Sequence, residues 1–139
     1  MTQWLDDFEA QKDIGPVTVA ANKNGLALDV VRCRDRGRKP PRLAPEYFDA
    51  AIALGALGRA NERGGIDAAV ATADAVLRAL KPDGRLVFVE PAGCEAILAA
   101  ALDDSPWVAD CDARAENGAI LGVVTRGADP AKRNTKGFA

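Results

Sequence analysis

From residue 66 to residue 80 the apolar positions recur at helical spacing. Ile66, Ala69, Val70, Ala73, Val76, Leu77 and Leu80 form one stripe, and Asp67, Thr72, Asp74 and Arg78 fall mostly on the other side. Burying its five large aliphatics contributes about 1.5–3 kcal/mol each, before conformational entropy is charged against it. The helix needs a surface to cover, and the next residues supply one. Lys81-Pro82-Asp83-Gly84 fits a type I turn, with proline fixing φ at the second position and glycine closing it. The run after Arg85, Leu86 to Val89, is continuously apolar, which predicts a parallel strand covered on both faces.

Residues 47–56 (YFDAAIALGA) give a second apolar run, read as a buried strand that leads into a glycine-containing loop through RANERGG. Strand, helix and parallel strand make a right-handed βαβ unit. After Pro91, GCEAILAAALDD predicts a helix that buries Ile97, Leu98, Ala101 and Leu102 and stops at Ser105-Pro106. Residues 107–114 alternate, with Trp107, Ala109, Cys111 and Ala113 on one side and Asp110, Asp112 and Arg114 on the other. Asn117-Gly118 is a hairpin signal, and AILGVVTR returns as an apolar strand.

Upstream, residues 2–12 form a short helix with Trp4, Leu5 and Phe8 on one face, ended by Gly15-Pro16. VTVAA and LALDVVRC read as two short strands about an Asn24-Gly25 turn, or as a single strand over residues 27–33 after a turn. Residues 32–42 are strongly basic; Arg32, Arg34, Arg36 and Arg38 alternate, which suits a solvated loop or a phosphate- or RNA-facing patch. The expected organisation is one α/β domain over residues 1–128 and a polar, frayed tail over 129–139.

Composition narrows the chemistry more than the fold. The 139 residues carry a formal charge of −2, so no global field draws the chain to nucleic acid or an anionic membrane. There is no histidine, which removes Ser-His and Cys-His catalysis. Cys33, Cys94 and Cys111 are odd in number and scattered, so neither a disulfide framework nor a zinc ligand set is expected. No apolar run approaches the ~20 residues of a membrane span. The acidic, amphipathic N-terminus is unlike a secretory signal, so an intracellular, cytoplasmic setting is expected.

YFDAAIALGAL, a helix ending VLRALKPDGRLVFVEP, then a helix and a terminal hairpin resemble the C-terminal half of class I S-adenosylmethionine-dependent methyltransferases. The resemblance covers about half of the chain. It implies a Rossmann-like α/β sheet, truncated on its N-terminal side and ending in an antiparallel pair. It implies S-adenosylmethionine as cofactor and methyl transfer to an acceptor that the sequence does not identify. Leu54, Gly55, Ala56 and Leu57 then sit at a strand end beside the cofactor, where open α/β sheets bind ligands. Asp35 is similar to the family acid that bonds the adenine amino group, or else it neutralises part of the arginine cluster.

The family's glycine-rich loop, Gly-x-Gly-x-Gly or close to it, is not found, and Asn22-Lys23 stand where the ribose-binding acid is expected. No catalytic base carries a motif. Asp49 is expected to terminate a strand and Glu90 to line the cleft. The second reading is therefore a non-catalytic methyltransferase fold that acts as a protein-interaction module, with a second copy or a partner chain completing the sheet.

Overall fold

The computed structural model describes residues 38–131. The expected helix at 2–12, the strands within 17–33, Asn22-Lys23, Asp35, most of the basic run and the tail beyond 131 lie outside them. The described part holds a four-stranded mixed sheet in the order β1-β2-β4-β3. Its strands are β1 (Phe48–Leu54), β2 (Leu80–Pro91), β3 (Val108–Glu116) and β4 (Ala119–Arg126). β1 and β2 run parallel, joined by helix α1 (Ala56–Ala79), while β4 pairs antiparallel with both β2 and β3. This is the expected α/β arrangement of a βαβ unit followed by a hairpin.

Helix α2 begins as Glu95–Leu98 and continues as a wide π-type turn over Ala99–Asp103. Both helices lie on the same face of the sheet. Leu57, Ala73 and Leu77 of α1 and Leu98, Ala101 and Leu102 of α2 share one core with Leu80, Leu86, Phe88, Ile120 and Val124. The opposite face is open among the described residues. Ile52, Val87 and Val123 are register neighbours across three strands and are 45%, 39% and 38% exposed. The apolar run of β2 is expected to be covered on both faces and that of β1 to be buried; among the described residues both strands are covered on one face only. Continuous apolar sequence therefore reports the strand, not what covers its second side.

Three further expectations change. The residues after β1 are not a loop: α1 begins at Ala56 and passes through a break at Gly65, whose φ of 79° no regular helix contains. The Lys81-Pro82-Asp83-Gly84 turn has φ of +68° at Asp83, which belongs to type II rather than type I. It also lies inside β2, where the register jumps from Phe48↔Leu80 to Ala50↔Arg85 and the turn bulges out. Gly84 is required there, since a Cβ would meet the Lys81 carbonyl oxygen at 2.7 Å. Finally, Thr72 is buried and Ile66 is exposed, the reverse of the stripe's assignment.

The closing hairpin follows its sequence signal. Asn117 and Gly118 both take positive φ, 52° and 77°, as a type I′ turn requires. Within it Gly122 lies opposite Phe88, and a Cβ at Gly122 would stand 2.3 Å from the ring. The bare glycine is what lets the largest apolar side chain of β2 lie flat on the sheet.

Candidate functional site

The carboxyl end of β1 is built by a backbone reversal. Gly55 takes φ of 70° and donates its N–H to the Val89 carbonyl at 2.8 Å, and its own carbonyl accepts from Arg59 N–H at 3.0 Å. That left-handed step turns the chain from strand into helix within one residue. No side chain of the helix itself caps the N-terminus of α1. The cap comes from β2. Oε1 of Glu90 accepts from the Leu57 N–H at 2.9 Å, and both of its carboxylate oxygens lie 3.3 Å from the Gly58 nitrogen.

Glu90 is 1% exposed, so this is a buried carboxylate against a helix N-terminus. Its pKa is raised, chiefly by burial. The Gly58 and Leu57 N–H groups and the Arg59 guanidinium oppose that shift, and Glu62 adds to it. The approach is close: a Cβ on Gly58 would stand 2.8 Å from Oε2 of Glu90 and 3.4 Å from Sγ of Cys94. Burial, then the charges of Glu90, Glu95 and Glu62, push the Cys94 thiol above its ordinary value, so it is held as a thiol rather than a nucleophilic thiolate.

The four strand-end residues named from the sequence come together, but they do different things. Leu54 and Ala56 are partly exposed beside the turn, Gly55 makes the turn, and Leu57 is a core residue, 2% exposed. Their polar groups are largely committed: the Gly55 and Leu57 N–H groups are taken by Val89 and Glu90. Leu54 and Ala56 thus leave a small apolar surface at the strand end, where the Gly55 and Leu57 amides are already committed. Asp35 lies outside the described residues.

The other candidate acids settle into structural roles. Asp49 is exposed on β1 and pairs with Lys81 at 3.1 Å, tying the strand to the bulge. Glu90, expected to line the cleft, turns inward to the helix. Of the basic run, Arg38, Lys39 and Arg42 are described and exposed, and Arg38 donates through Nε to the Arg63 carbonyl at 3.2 Å. No group of three or more His, Cys, Asp or Glu side chains could hold a metal ion among the described residues. No described helix is long and apolar enough to cross a membrane.

The sequence did not single out Arg126, the last residue of β4. It is fully buried and reaches the opposite end of α1's connection. Nη1 donates to the Leu80 carbonyl, Nη2 lies 3.5 Å from Oε1 of Glu46, and the guanidinium carbon stands 4.9 Å from the Trp107 ring centroid. Nε has no partner. The only sequence signal for this cluster is a charged residue at the inward phase of an apolar strand.

No family model matches the chain, and no curated protein matches it. Solved structures do. The Thermus thermophilus 16S rRNA N2 G1207 methyltransferase RsmC, solved in complex with AdoMet and guanosine, is 18% identical with a TM-score of 0.51, and the match covers 81% of this chain. This chain spans 27% of that protein's length. The [4+2]-cyclase SpnF is 16% identical over 83% of this chain and 62% of its own, with a TM-score of 0.48. The N-methyltransferase NodS from Bradyrhizobium japonicum is 10% identical over 89% of this chain and 100% of its own, with a TM-score of 0.36. At such identities the likeness is one of fold: a mixed four-strand α/β sheet resembling the methyltransferase Rossmann-like fold.

Proposed function

We propose that this chain is part of an S-adenosylmethionine-dependent methyltransferase-type domain, with the cofactor lying against Leu54, Gly55 and Ala56 at the carboxyl end of β1. One observation carries the reading. The parallel β1–β2 pair ends in a one-residue, left-handed turn at Gly55, in a sheet whose order closes with an antiparallel β4–β3 pair. Ligands of open α/β sheets sit at such strand ends. When bound, the cofactor supplies an electrophilic methyl group on sulfur. The part of this chain's described residues is to give an apolar wall, while Glu90 holds the α1 N-terminus in place behind it. Polar contacts to the cofactor would fall to residues outside 38–131, Asp35 among them. The methyl acceptor is not specified by this half of the sheet.

The capped helix supports a second reading, in which the fold serves as a protein-interaction module without a cofactor. Glu90 already fills the amide site at Leu57 and Gly58 that an anionic ligand group would use. Calorimetric titration of the folded chain with S-adenosylhomocysteine separates the two. Saturable one-to-one binding that weakens on Gly55→Val supports the cofactor site. No heat at any concentration, with the far-UV spectrum of a folded α/β protein, sinks it and leaves the interaction module.

A further inference from the structure

Between α2 and the β3–β4 hairpin, on the helical side of the sheet, runs an open groove of about 190 Å³. Leu98 and Leu102 of α2 stand on one side, Cys111 and Ala113 of β3 on the other, with buried Phe88 and Ile120 beneath. The part of α2 that lines it is positions 95, 98, 99, 102 and 103, which is a single helical face. Glu95 and Asp103 are the two ends of that face, and both are exposed. From 95 to 103 the helix advances at most about 12 Å. The groove is thus an apolar channel with a carboxylate at each end. Among the described residues neither carboxylate is in an ion pair, and no lysine or arginine lines the groove. The Cys111 thiol senses this field. Burial raises its pKa most and the Asp103 carboxylate raises it further, ahead of Asp110 and Asp112, which lie on the far face of β3.

We propose that the groove binds a linear aliphatic diamine, its hydrocarbon chain lying along α2 between Leu102 and Ala113, with one ammonium group at Glu95 and the other at Asp103. The lining between the two acids is carbon and one thiol, so the body of the ligand is apolar. The ligand is also thin. Pockets for drug-sized molecules hold about 300–1,000 Å³, more than this groove offers. An apolar cavity of roughly 150 Å³ takes a benzene ring, but one ring is too short to reach both carboxylates, whereas a chain reaches them. The cationic ends stay at the rim, paired and in contact with water, so no unpaired charge is buried. Exposed ion pairs contribute little each. The hydrocarbon therefore supplies most of the affinity, and the two carboxylates select for length and charge. The groove shares no lining residue with the strand end at Gly55, so the diamine site stands whether or not a cofactor binds there.

Octane-α,ω-diamine, about 11 Å between its nitrogens at the advance of an extended chain, is the probe. Titrated into the full chain at low salt and read by methyl NMR, it should shift Leu98, Leu102, Ala113 and Ile120 together and to saturation. Ile52, Val87 and Val123, on the opposite face, should stay in place. Octylamine keeps the chain and loses one cation, so it should bind up to about fivefold more weakly. Glu95→Gln and Asp103→Asn should each weaken the diamine by a similar factor, and added salt should weaken it in the parent chain. Both variants exchange an exposed acid for an amide of the same shape, and unmoved Val123 signals confirm that the fold is kept. Butane-α,ω-diamine, too short to bridge the two ends, should bind more weakly than the octane compound. Absence of saturable shifts at millimolar probe overturns the proposal. So does equal affinity for the diamine, octylamine and octane-α,ω-diol, because the groove is then merely apolar.

Discussion

Glu90 and Gly58 stand 32 residues apart in sequence, yet both carboxylate oxygens of the first lie 3.3 Å from the amide nitrogen of the second. Strand β2 thereby caps the helix that precedes it. The interaction needs a residue with no side chain at position 58 and a carboxylate at position 90. Neither requirement is visible from either residue alone.

Gly58→Ala should be destabilising. In an ordinary helix this substitution gains up to about 1 kcal/mol. Here the new Cβ would lie 2.8 Å from Glu90 Oε2, so the carboxylate must move off its amides. A net loss of about 1–2 kcal/mol is expected from overpacking. Urea unfolding of the two proteins checks it; a gain in stability would show that Glu90 yields freely.

The raised pKa of Glu90 fixes the sign of a pH effect. The folded state binds the proton more tightly than the unfolded chain. The resulting stability is fully present below the unfolded value and is lost as pH rises through the folded one. Glu90→Gln removes that dependence and keeps an acceptor for the Leu57 N–H. The two unfolding free energies, plotted against pH, should therefore diverge in the mutant's favour toward neutral pH. Parallel curves would contradict the assignment. Glu90→Ala, which leaves two helix N–H groups without a partner, should cost about 1–3 kcal/mol at any pH.

Gly122→Ala places a methyl group 2.3 Å from the Phe88 ring and should cost about 1–3 kcal/mol. Phe88→Leu alone should also destabilise. The double variant should be less damaging than the two losses summed, because removing the ring makes room for the methyl. Additive losses in thermal unfolding would mean that the ring does not rest on Gly122.

At the other end of the sheet, the two partners of one ion pair should respond unequally. Arg126 is buried, whereas the Glu46 side chain is 39% exposed. Glu46→Gln is expected to change stability by less than about 1 kcal/mol. Arg126→Ala removes the bond to Leu80 and the contact with Trp107 as well, and should cost about 2–4 kcal/mol. Arg126→Met should recover part of that by filling the space without burying a charge. Equal losses for Glu46→Gln and Arg126→Ala, measured by denaturant titration, would refute this ranking.

What the sequence makes legible here is whatever its residues decide locally. Asn117-Gly118 names its own turn, and the stripe through Ala69, Ala73 and Leu77 names the buried face of α1. Leu86 to Val89 gives the strand, but its unbroken apolar run conceals that only Leu86 and Phe88 point into the core. The first turns of α1 were not legible, because Arg59, Asn61 and Glu62 look like a loop and the cap arrives from Glu90. Arg126 was missed for a related reason: its partners Glu46, Leu80 and Trp107 come from three separate parts of the chain. Of the candidate site, the strand end at Leu54 and Gly55 was anticipated, while the carboxylate behind it became apparent only from the packing of β2 on α1.

The strand order has a consequence for the chain while it is being made. β4 is the last of the described strands in sequence but an interior strand of the sheet, lying between β2 and β3. A ribosome adds roughly 5–20 residues per second, so β1, α1 and β2 emerge well before residues 119–126 can pair with them. Until then the β2 edge, with Phe88 and Val87 on its two sides, is an open template for any other extended segment. Arg126, the final residue of β4, then locks the finished sheet back onto Leu80 and Glu46. Nascent chains arrested before residue 119 should accordingly be sensitive to protease across β2, and chains that have released residue 126 should resist it.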